Sequence, residues 1–383
     1  MSKENAIIKR GKAFFNIVGK AKIGEYTYKI DEVAKSGWQY NVLNLGIDCG
    51  EGNVVYTDMM GGFSTVRDNV LYVNSKEDFM NRYTIDWEDR FLDPILEGIN
   101  GMNFIKVGLE KDTSGKTFTK QFLSEYDAIN YIKEHLENDM VINVRGDLKY
   151  SIYNDTVQIR KEVTSIFLSR AEPEDYRATF VQSLLLNEDS IGKLDKDTAT
   201  YPISAYAPDY TKMYGDKEVK TTIPFPVALE LEVNKENPKA TKALIDKVFT
   251  VEKDTISEVA VEGKIIEGQQ TKELTEDDIP EDMLELIELG ILDKEDVLNK
   301  MVVSGDRVRR YVITKPYVQM KGEDEDRKPV LFIEHNKYKA EDMIFDFMYD
   351  DSDDEDIEDE EEIVEDDSSE DTGTDDDWLN ALG

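Results

Sequence analysis

Apolar and polar residues alternate along much of residues 1–170, a period of two that predicts β-strands rather than helices. The stretch from Phe15 to Gly24 is a clear case, and its polar positions carry Lys20 and Lys22. The same pattern predicts strands at 38–47, 53–59, 69–73 and 79–85, and a hairpin of 104–111 with 117–123.

A single helical segment interrupts these strands. Apolar residues at 126, 129, 132 and 136 follow the helical period, and Ser124 stands where an N-cap belongs. Long strands are predicted next at 140–153 and 157–168, around a turn at Asn154 and Asp155, and Gly146 is expected to mark a β-bulge. Strands, one helix and a final hairpin in this order are typical of an oligonucleotide/oligosaccharide-binding (OB) barrel.

The second half repeats this plan loosely. Gly263 closes the run that begins at Val259, much as Gly146 closes the run that begins at Val141. We therefore expect a second OB-like barrel with a helical insertion before its last strand. The predicted segments are strands at 176–186 and 199–206, a pair of extended segments at 221–233 interrupted by Pro224 and Pro226, a helix at 238–248, a strand at 256–266, an acidic helix at 280–301, a strand at 307–320 and a last packed segment at 343–349.

These patterns set the expected organisation of the chain. The polar residues 171–175, which include Pro173, are predicted to link two domains at 1–170 and 171–349. A chain of this length fits two domains of about 150 residues each. The fold class is expected to be mainly β (α+β), with tandem OB-like β-barrels, a few helices and a disordered acidic C-terminal tail at 350–383.

The tail differs from the rest of the chain in composition. Residues 350–383 hold 19 acidic residues and no Lys or Arg, so charge repulsion and scarce apolar groups predict disorder. We expect the acidic stretch to compete for a basic groove and the tip to bind partner proteins, although a solvated tail packed loosely on its own body is the plainer interpretation. The tip residues expected to bind are Asp376, Asp377, Trp378, Leu379 and Leu382.

Charge is distributed unevenly over the chain. It has 83 acidic and 46 basic residues in total, a net charge of −37. Residues 1–170 carry 22 basic and 25 acidic residues, whereas residues 171–349 carry 24 basic and 39 acidic ones. Because binding follows the local potential rather than the total charge, a polyanion is expected on the first half.

The sequence offers little for catalysis or metal binding, and no cofactor is expected. With one cysteine, Cys49, and two histidines, His135 and His335, a Cys/His zinc site is disfavoured. The acidic cluster between Asp86 and Asp93 could bind two metals as nucleases do, but a charged loop is the more ordinary interpretation.

The cellular setting is expected to be the cytoplasm, that of the host cell if the protein is phage-encoded. A single cysteine fits a reducing compartment. No apolar run approaches the ~20 residues that span a bilayer, so no membrane contact is expected. The N-terminus lacks the pattern of a signal peptide.

Single-stranded nucleic acid binding needs a groove with cations and aromatic faces on which bases stack. The first half supplies both kinds of residue. For any one aromatic residue, packing in the core is the more ordinary role, so the prediction concerns the group. The residues expected to form the groove are Lys20, Lys22, Trp38, Tyr40, Phe63, Arg67, Arg145, Lys149, Tyr150, Tyr153, Arg160 and Lys161.

Six stretches carry a family resemblance: FNIVGKAKIG at 15–24, NLGIDCG at 44–50, TIDWEDR at 84–90, VGLEKDT at 107–113, FLSEYDAI at 122–129 and WLNAL at 378–382. With them the chain resembles a family of proteins encoded by phages of Gram-positive bacteria, regarded as single-stranded DNA-binding proteins or close relatives. The resemblance implies an OB body and an acidic tail with a hydrophobic tip. In bacterial proteins of this plan the tip ends in Phe, whereas Gly383 ends this one, which leaves the tail's partner open.

The expected function is therefore sequence-independent single-stranded DNA binding without catalysis, in phage DNA replication or recombination. The tail would compete for the DNA groove and recruit replication or recombination proteins. Two alternatives stay open: an acidic scaffold or DNA mimic that binds a basic protein, and a metal-dependent nuclease that uses the Asp86 cluster. The sequence gives neither the oligomeric state nor the preference between DNA and RNA.

Overall fold

The computed structural model describes residues 8–153, 156–196, 198–215, 217–269, 279, 281–289, 292, 307–322, 327–345 and 347. Over these residues the protein is mostly β, and one 14-stranded sheet dominates it. Residues Met1–Phe345 form one compact unit. Residues Asp346–Gly383 form a separate unit, of which Phe347 alone is described.

The first half contributes the strands β1 (Ala13–Lys22), β2 (Tyr28–Val33), β3 (Trp38–Asp48), β4 (Val54–Ser64), β5 (Val70–Asn74), β6 (Arg82–Asp86), β7 (Ile105–Lys111), β8 (Thr117–Phe122), β9 (Val141–Tyr153) and β10 (Thr156–Leu168). Its helices are the short α1 (Asp93–Leu96) and the longer α2 (Glu125–His135). The predicted helix is confirmed, and the Ser124 hydroxyl caps it by accepting a hydrogen bond from the Tyr126 N–H at 3.1 Å.

The second half contributes β11 (Arg177–Leu186), β12 (Thr200–Tyr214), β13 (Lys217–Glu232), α3 (Pro238–Leu244), β14 (Thr255–Gln269), α4 (Glu281–Glu288), β15 (Arg307–Pro316), β16 (Val318–Lys321), β17 (Lys328–Leu331) and β18 (Ile333–Lys339). A π-helical turn, Ile245–Phe249, continues α3. Most of the acidic helix predicted at 280–301 lies outside the described residues, which show its beginning as α4.

Five strands of the first half close on themselves. β1 pairs with β3 and β9, β3 pairs with β4, and β9 pairs with β10, all antiparallel. β10 returns to β4 by a parallel pairing of Glu162 with Asp58. We call this closed set β1-β3-β4-β10-β9 the first ring; Ile17, Leu43 and Val144 are among its fully buried inward side chains.

The second half closes in the same order. β11 pairs with β12 and β14, β12 with β13, and β14 with β15, again antiparallel. β13 and β15 pair in parallel, with Glu230 opposite Val312. In this second ring, β11-β12-β13-β15-β14, a helix precedes the fourth strand in sequence, as α2 precedes β9 in the first ring.

In each ring, the strand that is fourth in sequence, β9 or β14, has a glycine where a phenylalanine side chain crosses it. Gly146 pairs with Phe15, and Gly263 pairs with Phe180. A Cβ on Gly146 would lie 2.7 Å from Phe15 Cζ, and one on Gly263 would lie 2.5 Å from Phe180 Cε1. The two glycines are therefore fixed by close packing, which explains why the sequence repeats them.

The bulge expected at Gly146 lies instead on the neighbouring strand. The register of β9 with β10 skips Thr164, and the register of β14 with β15 skips Thr314. Each threonine hydroxyl donates to the carbonyl before the glycine, to Arg145 O at 3.3 Å and to Glu262 O at 3.2 Å. The prediction of a bulge was right for the hairpin but wrong for the residue, because the glycine serves the aromatic contact.

The two rings join at a seam within the compact unit. Residues 13–18 of β1 pair antiparallel with residues 177–182 of β11, so the sheet runs from one ring into the other. Lys161 of β10 and Glu267 of β14 form an ion pair at 2.6 Å, and both side chains are 3% exposed. The expected linker contains a 3-10 turn at Pro173–Asp175 between β10 and β11.

Several predicted boundaries differ from the structure. Pro224 and Pro226 do not interrupt β13; Pro224 stands opposite Pro208, so two residues without an N–H share one position of the ladder. β12 continues past its predicted end at 206, and the strand predicted at 307–320 breaks into β15 and β16. β2, β17 and β18 were not predicted. Phe345, in the predicted last segment, packs against the buried cluster of Ile8, Leu185, Ile256 and Tyr338.

Candidate nucleic-acid interface

The outward side of β3 presents two aromatic rings. Trp38 and Tyr40 are two residues apart and therefore share one face of the strand, opposite the buried Asn41 and Leu43. Their ring centroids lie 4.8 Å apart with an angle of 14° between the planes. This stacked, half-buried pair is a ready platform on which a nucleic-acid base can stack.

The neighbouring strand leaves room for this pair. Gly62 of β4 stands opposite Tyr40, and a Cβ at Gly62 would lie 2.7 Å from Tyr40 Cβ. The same face continues through Val42 and Met60, which pair across the two strands. Aromatic and aliphatic groups thus line the outward side of β3 and β4.

Cations border the face on three sides. Lys29 of β2 stands opposite Val42, and Arg67 is exposed in the turn after β4. Arg160 of β10 is exposed and forms an ion pair with Asp58, whose Oδ2 lies 3.0 Å from Arg160 Nε. The sequence did not single out Lys29, because the mixed polar pattern of β2 hid the strand that carries it.

Lys20 and Lys22 lie on the outward side of β1, opposite Asp48 and Gly46 of β3. Lys22 Nζ is 3.4 Å from carboxylate oxygens of both Asp48 and Asp139. These two hydrogen bonds, that of Asp48 first, raise the pKa of Lys22. Two carboxylates therefore oppose the charge of Lys22, whereas Lys20 is half-buried beside them.

Arg145 and Lys149 lie on another part of the outward surface, along β9. Arg145 Nε donates to Asn143 Oδ1 at 3.0 Å and to Asn16 Oδ1 at 3.3 Å. Lys149 Nζ lies 3.9 Å from Asp147. Tyr153 is half-buried at the end of β9. The adjoining turn, 154–155, lies outside the described residues.

Tyr150 does not belong to the interface, which corrects the prediction. It is 7% exposed, its hydroxyl donates to Gln182 Oε1 at 2.7 Å, and its ring stacks on Phe225 with centroids 5.8 Å apart. Burial raises the pKa of its hydroxyl well above the usual value. The second ring covers this end of β9, so Tyr150 packs in the seam.

Lys161 also lies outside the predicted groove, which corrects the prediction. Its side chain points into the seam, where Glu267 neutralises it and Arg309 lies 3.2 Å from the same carboxylate. Burial lowers the pKa of Lys161, and the Glu267 carboxylate offsets part of that effect. A phosphate cannot reach an ammonium group that is 3% exposed.

Phe63 faces away from Trp38 and Tyr40. It pairs with Gln39 on the opposite side of the sheet, and its ring packs 5.0 Å from that of Trp87 and 5.2 Å from that of Tyr126. Arg90 stacks over Trp87 at 4.0 Å. This aromatic cluster fixes α2 and the β5-β6 insertion to the first ring, and Phe63 serves packing there.

The structure adds no support for the other sites considered from the sequence, the metal site and the partner-binding tip. Over the described residues, which include the stretch from Asp86 to Asp93, no three His, Cys, Asp or Glu side chains gather where a metal could be held. No helix of the described part is long and apolar enough to cross a membrane. The predicted partner-binding tip, with Asp376, Asp377, Trp378, Leu379 and Leu382, lies outside the described residues.

Comparison with known protein families gives a match to part of the chain. The model of a family described as YorF matches residues 104–314. No curated protein matches the chain. Among solved structures, the wild-type single-stranded DNA binding protein from Thermus aquaticus shows 9% identity and a TM-score of 0.32, covering 83% of this chain and 97% of its own.

A deletion mutant of the same Thermus aquaticus protein gives 8% identity and a TM-score of 0.31, covering 83% of this chain and 98% of its own.

Proposed function

The chain belongs to the YorF family, whose model spans more than half of it, and we propose that it is a sequence-independent single-stranded DNA-binding protein without catalytic activity. In this proposal the two rings are tandem OB-like barrels. The protein acts in phage DNA replication or recombination, and its acidic tail competes with DNA and recruits partner proteins.

The strand order of the rings supports the barrel assignment. An OB barrel is a five-stranded Greek-key barrel, partly open, that binds oligonucleotides on the face of its second and third strands. In the first ring these strands are β3 and β4. The parallel closing contact between Glu162 of β10 and Asp58 of β4 completes the ring.

The stacked pair of Trp38 and Tyr40 is the observation that carries the proposal. It lies on the outward face of the second strand, where an OB barrel receives bases. Stacking on such a side chain contributes about 1–3 kcal/mol per base and does not depend on the base, because every base has a π-face. Lys29, Arg67 and Arg160 border the pair and can attract phosphates.

The test is fluorescence anisotropy of a labelled poly-dT strand at low and moderate salt, with the full-length protein and with residues 1–349. We expect binding that weakens steeply with salt, because bound phosphates release counterions. Removing the tail is expected to tighten binding. Equal or weaker binding by residues 1–349 would reject the competition by the tail, while leaving DNA binding in place.

The acidic excess favours a second candidate, a scaffold or DNA mimic that binds a basic protein. Residues 171–349 carry 39 acidic and 24 basic residues, so the second half offers a negative surface without the tail. A protein of this kind has no affinity for poly-dT even at low salt. Absence of binding by both forms of the protein would therefore replace the first proposal with this one.

A further inference from the structure

The outward sides of four neighbouring strands form one polar surface across both rings. The antiparallel register places Arg145 of β9 beside Asn16 of β1, Asn16 beside Thr179 of β11, and Thr179 beside Lys264 of β14. Strands in a sheet are ~4.8 Å apart, so the backbones carrying Arg145 and Lys264 are about 14 Å apart. This row crosses the seam between the rings.

Cations line this surface on both sides of the seam. Arg145, Arg177 and Lys264 are all exposed. Arg177 stands opposite Val18, two positions from the pairing of Thr179 with Asn16, and so lies on the same side of the sheet. The first ring contributes one of the three cations and the second ring contributes the other two.

Two of the carboxylates that border the surface are paired with cations. Glu262 Oε1 lies 3.1 Å from Lys315 Nζ. Asp147 lies 3.4 Å from Arg10 and 3.9 Å from Lys149. In a chain with a net charge of −37, a surface on which three cations are exposed and the carboxylates of Glu262 and Asp147 are paired favours a polyanion as its ligand.

An aromatic group lies on the same surface. Phe14 of β1 is 37% exposed and contacts Tyr317 edge to face, with ring centroids 6.2 Å apart. Lys12 Nζ lies 5.4 Å from the centroid of Tyr317. An exposed ring among cations is what a single strand uses for base stacking beside its phosphates.

The strand β1 connects this surface to the Trp38–Tyr40 face. Near its end, Lys20 and Lys22 stand opposite Asp48 and Gly46 of β3, and they share a side of β1 with Asn16. The outward side of the sheet is therefore continuous from β3 through β1 and β11 to β14.

We propose that a single DNA strand bound at the Trp38–Tyr40 face continues over the seam onto the second ring, with its phosphates in contact with Arg145 on the first ring and with Arg177 and Lys264 on the second. This inference rests on the proposed function and assigns a DNA-binding role to the second ring. A strand of about 8 nucleotides lies within the range of ~4–16 that one OB barrel covers, so only longer strands reach Lys264.

The experiment measures binding of the full-length double variant Arg177→Gln with Lys264→Gln to poly-dT strands of about 8 and about 30 nucleotides over a series of salt concentrations. A plot of the logarithm of the binding constant against the logarithm of the salt concentration has a negative slope. Each lost phosphate contact makes that slope less steep by about 0.7 for single strands. We expect the slope to become less steep by about 1.4 on the long strand and to stay at the wild-type value on the short strand.

The matched control is Lys239→Gln with Lys242→Gln, which removes the same charge from exposed positions on α3 of the second half. It should leave the slope on both strands unchanged, and thermal unfolding should show that both variants fold. Wild-type binding with an unchanged slope for the Arg177 and Lys264 variant overturns this inference alone. A wild-type protein that binds neither strand overturns the proposed function as well.

Discussion

The two rings share a strand order but differ in the chemistry of their outward faces. In the first ring, β3 presents the stacked pair of Trp38 and Tyr40. In the second ring, the corresponding strand β12 presents Pro202 and Ser204, and Tyr206 packs against the hydrophobic cluster that includes Ile8. Base stacking is therefore expected mainly on the first ring, and phosphate contacts alone on the second.

What the rings keep in common are the contacts that close them. The glycine under an aromatic ring recurs at Gly146 and Gly263, and the bulged threonine recurs at Thr164 and Thr314. Closure of a ring constrains these positions sterically, whereas the outward side of a strand is free to vary. The scaffold is thus repeated, while the proposed binding surface is not.

The largest expected effect concerns the turn between β3 and β4, which contacts the second ring where Asn53 Nδ2 donates to Ile265 O at 3.0 Å. Cys49 lies in the turn between β3 and β4, and burial, with the charges of Asp48 and Glu267, raises the pKa of its thiol from 9.0 to about 12. At pH 8.5 the reactive thiolate is then roughly a thousandfold scarcer in the folded protein than in the unfolded chain. Alkylation by iodoacetamide, followed by mass spectrometry, should be slower by that order in buffer than in urea.

The sign of the associated pH effect is fixed by the same shift. Because the folded pKa of Cys49 lies above 9.0, its stabilising contribution is complete below pH 9 and is lost as the pH rises toward about 12. A native alkylation rate within tenfold of the rate in urea would contradict the raised pKa of Cys49.

The next effect is on stability. Replacing Lys161 with Met leaves Glu267 buried without its nearest partner, and breaking a buried ion pair costs about 3–5 kcal/mol. The lower end is expected, since Arg309 stays 3.2 Å from the carboxylate. Urea unfolding measures the loss. The exposed Lys111, changed in the same way, should cost less than about 0.5 kcal/mol.

Alanine at Gly146 or Gly263 tests whether the rings close by the same device. Each Cβ would collide with a phenylalanine ring and a backbone carbonyl, and overpacking of this kind costs about 1–3 kcal/mol. Urea unfolding should show similar losses for both variants and almost none for Gly24→Ala, where the added Cβ meets open space. A loss confined to one ring would break the equivalence.

A last effect, of similar size, distinguishes the two outward faces. Trp38→Ala should weaken poly-dT binding by about 1–3 kcal/mol, the contribution of one stacked base, as measured by anisotropy. Tyr210 is 47% exposed on β12 of the second ring, and Tyr210→Ala should leave binding nearly unchanged. Equal losses in the two variants would indicate that both rings stack bases.

Much of the fold could be predicted because the strands of the first ring alternate apolar and polar residues clearly. The positions of Trp38 and Tyr40 on one face followed from the same alternation. Alternation does not reveal which outward faces another part of the chain covers. Lys161 and Tyr150 were therefore assigned to the groove, although the second ring buries them both.

Other differences have local causes. β2 was missed because Tyr28 to Val33 is mostly exposed or half-buried and shows no clear period. Pro224 and Pro226 argued against a continuous strand. Pro224, however, stands opposite Pro208, so the hydrogen-bond ladder can accept a missing N–H at that position. Such compensation depends on a partner strand and cannot be read from either segment alone.

Single-stranded DNA is expected to lie on the Trp38–Tyr40 face of the first ring. Ultraviolet crosslinking of poly-dT to the full-length protein, with mass spectrometry of the adducts, tests it most directly. We expect adducts on Trp38 or Tyr40 that disappear at high salt. Adducts that lie only elsewhere, or no salt-sensitive adduct at all, would contradict it.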